Sequence, residues 1–137
     1  MLPIPKISQY MTPAPKTIRA DQTLEQASDY MRKLRVRHLP VTKLGKPVGM
    51  LSDRDISLAM NFANLDALSM KVESALTPDP FITSPNEPIS KVAEHMVQNK
   101  YGCVLVMEQG LLVGIFTTVD AMRALADVFR RESKQEI

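Results

Sequence analysis

Two stretches of the chain carry apolar residues at helical spacing, and each is followed by short apolar runs at strand length. Leu24, Ala27, Met31 and Leu34 recur on one helical face, and Ile89, Val92, Ala93, Met96 and Val97 do the same later on. The first helix opens at Asp21-Gln22-Thr23-Leu24, where Thr23 and Gln26 have the spacing of a capping box. The second starts at Pro88, a residue suited to the first helical position. After each helix comes a strand, His38-Leu39-Pro40-Val41 or Cys103-Val104-Leu105-Val106. Turns at Leu44-Gly45-Lys46 and Gln109-Gly110-Leu111 lead into strands Pro47 to Leu51 and Leu112 to Phe116. Pro40 lacks an amide donor, so its strand should have a free or irregular side there. Each hairpin enters another helix, one from about Asp53 past Met60, the other over most of Thr118 to Arg131. A short strand is expected at Lys16 to Ile18, after the extended Thr12-Pro13-Ala14-Pro15 segment. Residues 1–10 read as an irregular arm. Residues 61–74, with Phe62, Leu65, Leu68 and Val72, read as a partly helical linker, and Arg130 to Glu136 as a solvated tail.

The halves are copies. Asp55 and Asp120 are 65 positions apart, and that shift aligns the two halves without a gap. It sets Met31 on Met96, Val41 on Val106, Gly45 on Gly110 and Val48-Gly49 on Val113-Gly114. The repeated stretch is Gly49-Met50-Leu51-Ser52-Asp53-Arg54-Asp55 and Gly114-Ile115-Phe116-Thr117-Thr118-Val119-Asp120: Gly, two apolar residues, a hydroxyl residue, two variable residues, Asp. Such a stretch suits a strand that turns directly into a helix. Ser52 and Thr117 are N-caps, and the Asp three residues on complements the positive helix end. As caps only, the acids would be worth a few tenths to about 1 kcal/mol each. A helix N-terminus beside a close-approaching Gly can also hold a phosphate or a sugar hydroxyl.

Composition narrows the classes. Apolar residues make up 45% of the 137 residues, aromatics only 5%, with nine Met and no Trp, so the core must be aliphatic and Met-rich. Seventeen basic against fifteen acidic residues leave a net charge of +2, too even for an electrostatic claim on nucleic acid or anionic membrane. The run Arg32, Lys33, Arg35, Arg37 reads as a solvated helix face. One Cys excludes an intramolecular disulfide and suits a reducing compartment. With no apolar run of membrane-spanning length and no signal-like start, a cytoplasmic protein is expected.

The element order strand-helix-strand-strand-helix, the gapless repeat and both Gly-h-h-Ser/Thr-x-x-Asp stretches resemble the cystathionine-β-synthase (CBS) domain. Tyr10-Met11-Thr12-Pro13, Arg37-His38-Leu39-Pro40-Val41 and Ala75-Leu76-Thr77-Pro78 add to the resemblance, which runs from Ile7 to Val128. It implies an α/β fold of two repeats, β-α-β-β-α each, related by a pseudo-twofold axis and packed as one Bateman module. The boundaries expected are 1–61 for the first repeat with its arm, 62–74 for the linker, 75–132 for the second repeat and 133–137 for the tail.

The resemblance also implies ligand contacts. Asp55 and Asp120 would accept hydrogen bonds from ribose hydroxyls, with Ser52 and Thr117 on ribose or phosphate. Each site would join one Asp to strands of the other repeat: Ser52, Arg54 and Asp55 with Ile82, Thr83, Tyr101, Gly102 and Cys103, and Thr117 and Asp120 with Thr17, Ile18, Arg37, His38 and Leu39. Main-chain groups near Ile18, Leu39, Ile82 and Val104 would read the adenine edge, with apolar side chains against its faces. Because Arg37 and His38 add to it, Asp120's site is expected to be the better phosphate binder.

His38 and Cys103 occupy aligned positions, but no Cys pair or His cluster supplies a metal's ligand set, and nothing marks a nucleophile with its base. His95 is expected at the surface. Gly-x-Gly-x-x-Gly, Walker and Gly-x-Ser-x-Gly motifs are absent. The expectation is therefore a non-enzymatic regulatory module for AMP, ADP, ATP, S-adenosylmethionine or NADH, requiring no cofactor, forming a homodimer and signalling occupancy to an unknown regulated protein. The alternative is a ligand-free CBS-pair module for dimerisation or interaction.

Overall fold

A computed structural model describes residues 3–135. The first two residues of the expected arm, the last two of the expected tail and the side chain of Leu65 lie outside the described ones. The chain forms two compact units, Pro15–Pro80 and Met1–Ala14 with Phe81–Ile137. Each contains a four-stranded sheet and two long helices.

In the Pro15–Pro80 unit the order along the chain is β1, Ile18–Arg19; α1, Leu24–Leu34; β2, His38–Lys43; β3, Lys46–Ser52; α2, Asp53–Ala63; and β4, Thr77–Pro78. The sheet order is β1-β2-β3-β4, with β1 parallel to β2 and the other pairs antiparallel. Thr23 caps α1 as the sequence predicts: Gln26 N–H donates to its hydroxyl at 3.1 Å, and Thr23 N–H donates back to Gln26 Oε1 at 2.9 Å. The helix stops where Arg35 turns left-handed, at φ 57°. Its apolar stripe, Leu24, Ala27 and Met31, meets Ile18, Leu39, Val41 and Leu51 from the sheet and Ile56 from α2 in one core. Full burial of each large aliphatic side chain is worth about 1.5–3 kcal/mol.

The second unit repeats the plan: β5, Thr12–Pro13; β6, Ile82–Thr83; α3, Ile89–Asn99; β7, Cys103–Glu108; β8, Leu111–Thr117; and α4, Thr118–Gln135. Its sheet runs β5-β8-β7-β6, and its core gathers Ile7, Val92, Met96, Val104, Val106 and Phe116. Pro88 is the N-cap rather than the first helical residue. Its φ of −65° would serve either role, but its ψ of 140° is extended.

The two hairpin turns match. Leu44 and Gly45 have φ of 53° and 79°, and Gln109 and Gly110 have 51° and 78°. Two consecutive positive φ values give the tight turn whose twist matches that of the flanking strands. The irregular side expected at Pro40 is visible by comparison. Its counterpart Leu105 donates to the Phe81 carbonyl at 2.9 Å, a bond that Pro40, without an N–H, cannot make to Lys16.

The units divide the chain differently from the repeat boundaries. The arm through Ala14 belongs with the second half, and residues 62–80 belong with the first. Both segments do the same work. A 3-10 turn at Ile7–Gln9 buries Ile7 in the second core, and one at Val72–Ser74 buries Val72 in the first. Ile7 N–H donates to Glu87 O at 2.9 Å and Val72 N–H to Gln22 O at 2.7 Å. The end of the expected linker, Val72–Ser74, is therefore the second copy of the arm's turn at Ile7–Gln9, while a further 3-10 segment at Asn64–Ser69 bears out the linker's partly helical character.

Candidate functional site

The site begins where each hairpin becomes a helix. Ser52 ends β3 and caps α2: Asp55 N–H donates to Ser52 Oγ at 3.0 Å, and Ser52 N–H donates to Asp55 Oδ2 at 2.9 Å. This reciprocal pair fixes the carboxylate plane. Among the described residues the other oxygen, Oδ1, accepts only a long bond from the Thr77 hydroxyl, at 3.5 Å. His38 stands opposite Ser52 in the hairpin register, and Asp53 N–H ties α2 to the Arg37 carbonyl at 2.9 Å.

The second unit repeats the cap with closer filling. Thr117 N–H donates to Asp120 Oδ2 at 2.9 Å, Thr117 Oγ1 donates to the same oxygen at 3.1 Å, and Asp120 N–H lies 3.3 Å from Thr117 Oγ1. Arg123 Nη2 takes Asp120 Oδ1 at 2.9 Å and also donates to the Tyr10 carbonyl at 3.0 Å. Tyr10 in turn donates its hydroxyl to Asp127 Oδ2 at 2.8 Å. That bond, together with Arg130, holds the Asp127 carboxyl below its ordinary range, while burial and the same carboxylate push the Tyr10 phenol up. Arg123, Tyr10 and Asp127 were not among the residues expected from the sequence. A signal existed for one of them, since Arg123 lies three positions past Asp120, within reach along one helix face.

The motif glycines serve the strand that crosses them. A Cβ on Gly49 would stand 2.6 Å from the Thr77 carbonyl oxygen and 2.7 Å from Leu76 Cδ1. On Gly114 it would stand 2.6 Å from Met11 Sδ and 3.1 Å from the Thr12 carbonyl oxygen. Close approach of β4 to β3 and of β5 to β8 accounts for both.

The remaining expected residues divide by burial. Ile18, Leu39 and Val104 are buried in the cores, so only their main chain can meet a ligand, not their side chains. Both β1 and β6 are edge strands, which leaves main-chain groups beside Ile18 and Ile82 open to pairing. Ile82 is exposed, and Thr83 is buried. Thr17 and Ile18 line a cleft of about 300 Å³ with Gln26 and Tyr30. Arg37 lines a different groove, of about 480 Å³, with Arg32, Arg35 and Asp53 between α1 and α2. Arg54 is exposed on the first turn of α2. The Gly102 carbonyl accepts from Thr118 N–H at 3.1 Å.

His38 is half-buried, and desolvation lowers its pKa against the opposing pull of Asp53 and Asp55, with Arg37 and Arg54 adding to the lowering. It is therefore a neutral imidazole near pH 7, able to donate one hydrogen bond but not to supply a charge. Burial pushes the Cys103 thiol up to about 12, with the Asp120 carboxylate adding to it, which leaves no thiolate for nucleophilic work. His95 is not at the open surface as expected: its ring stacks on Phe81 at 3.9 Å, with Tyr101 5.8 Å from Phe81. Among the described residues no three His, Cys, Asp or Glu side chains gather as a metal set, and no helix is long and apolar enough to cross a membrane.

Comparison with known proteins agrees with this architecture. CBS domain-containing protein YhcV of Bacillus subtilis is 27% identical over 114 residues, 83% of this chain and 81% of that protein. An inosine-5′-monophosphate dehydrogenase of Korarchaeum cryptofilum is 30% identical over 118 residues, 85% of this chain but only 22% of the enzyme. The AcuB protein of Vibrio cholerae superposes with a TM-score of 0.83 at 26% identity, covering 96% of this chain and 98% of that one. The CBS domain pair of MJ0100, solved with 5′-methylthioadenosine and S-adenosyl-L-methionine, gives 0.82 at 24% identity, over 91% and 98% of the two chains. The family model for the CBS domain matches twice, at residues 7–61 and 72–127. With two matches spanning most of its length and two units of one plan, the chain belongs to the CBS domain family.

Proposed function

We propose that the chain is a regulatory module that binds an adenosine-containing ligand and passes its occupancy to a protein partner. The observation that carries this reading is the carboxylate of Asp55, fixed by Ser52 through one oxygen while the other meets only the long bond from Thr77. A carboxylate held in one plane at a helix N-terminus suits the two adjacent hydroxyls of a ribose, at about 1.5–3 kcal/mol for each charge-assisted bond. Ser52 and Arg54 flank it for ribose and phosphate. Two fold relatives were solved with such ligands: the MJ0100 pair with 5′-methylthioadenosine and S-adenosyl-L-methionine, and CBSX2 with AMP. No chemical step is needed, because differential affinity between two packings suffices; about 1–3 kcal/mol of coupling is typical.

A thermal-shift panel of AMP, ADP, ATP, S-adenosylmethionine and NADH tests this. A true ligand at about 100-fold over its dissociation constant stabilises by near 2.7 kcal/mol. No shift with any of the five would reject the reading.

A second reading, dimerisation without a ligand, rests on α4. Its stripe Val119, Met122, Leu125 and Phe129 is exposed, while Asp120 and Ala124 on the other face are buried. A second copy of the chain is the proposed cover, and the two readings are compatible.

A further inference from the structure

The two acids are not equally free, and one position decides the difference. Asp120 is 3% exposed. Its Oδ2 accepts from the Thr117 amide and hydroxyl, and its Oδ1 accepts from Arg123 at 2.9 Å. The same Arg123 nitrogen holds the Tyr10 carbonyl at 3.0 Å, so the guanidinium also ties down the arm. At Asp55 the partner of Oδ1 among the described residues is the hydroxyl of Thr77 at 3.5 Å. The shift of 65 puts Leu58 where Arg123 stands, an apolar, half-exposed side chain that offers Oδ1 no donor.

Resting on the adenosine-ligand reading, we propose that Arg123 is a positioning residue that withholds Asp120 from ribose, so that one ligand binds per chain, at Asp55. A ribose at Asp120 must displace the paired charge of Arg123 and loosen the arm, whereas at Asp55 it displaces one long bond from an uncharged hydroxyl. This order is the reverse of the one expected from Arg37 and His38.

Calorimetric titration with AMP and with S-adenosylmethionine reads the stoichiometry. Wild type takes one ligand per chain; Asp55→Asn weakens it at least tenfold; Asp120→Asn leaves it unchanged. Arg123→Leu, which installs the first repeat's residue at a largely solvated position, raises the count to two, and Arg123→Lys keeps it at one. Two ligands per wild-type chain, or one that Asp120→Asn removes and Asp55→Asn spares, overturns the proposal while leaving the ligand reading intact. A count that stays at one in Arg123→Leu overturns it equally. Failure of these two probes and of ADP, ATP and NADH to bind wild type and Arg123→Leu alike overturns the ligand reading itself, and the proposal with it.

Discussion

The α-carbon of Gly49 lies against the Thr77 carbonyl so closely that a methyl group there would stand 2.6 Å from the oxygen. The neighbour is backbone in a paired strand, which cannot swing away. At Gly114 the nearest atom is the sulfur of Met11, the end of a flexible side chain. Gly49→Ala should therefore destabilise more than Gly114→Ala, by about 1–3 kcal/mol against the lower end of that range. Urea denaturation of the two variants checks the order. Equal losses would mean that the crossing strand is not what the glycine admits.

Asp120 and Asp55 should separate in the same measurement. Asp120→Ala strips partners from the Thr117 amide and hydroxyl and from Arg123, and should cost about 1–3 kcal/mol. The lower half is expected, because the Arg123 side chain is 55% exposed and rehydrates. Asp55→Ala removes one cap partner and should cost about 0.3–1 kcal/mol.

His38 sets a pH dependence. Its pKa in the fold lies below the ordinary 6.5 because burial disfavours the cation. Folding therefore favours the neutral ring. The contribution is fully present above the unfolded value and is lost as pH falls through the folded one. Thermal stability should decline as pH falls below about 6.5, and His38→Gln should flatten that decline. Parallel curves for the two proteins would rule His38 out as the cause.

The exposed stripe of α4 predicts self-association. Phe129→Glu places a charge at the C-terminal end of that apolar strip, opposite the buried face, and should shift sedimentation toward the monomer with little change in the circular dichroism spectrum. A wild-type chain that sediments as a monomer at all concentrations would remove the second-copy reading.

Where both local spacing and the repeat spoke, the elements were legible: the Thr23 capping box, the four long helices, the hairpins and their turns all stand where the patterns put them. The linker reads as partly helical and holds 3-10 turns at Asn64–Ser69 and Val72–Ser74, but the packing of Ile7 and Val72 into the two cores was not legible, for a physical reason. A single 3-10 turn has no periodicity, and Ile7 and Val72 each contribute one buried side chain rather than a stripe. The clue lay in the same 65-residue shift, which sets Lys6-Ile7 on Lys71-Val72. At the site, both caps were legible, but the filling of Asp120 was not. It depends on Tyr10, 113 positions from Arg123, brought there by the arm. The stacking of His95 on Phe81 was hidden in the same way, since it joins a helix to the residue just before an edge strand.

The central claim is that an adenosine-containing ligand sits at the Asp55 end of α2. An amide-shift titration of the isotopically labelled chain with AMP and with S-adenosylmethionine tests it most directly. Saturable shifts centred on Ser52, Asp53, Arg54 and Asp55, lost in Asp55→Asn, are expected. Saturable shifts centred instead on the Arg32 and Arg35 groove, or no shifts at all with either compound, would contradict it.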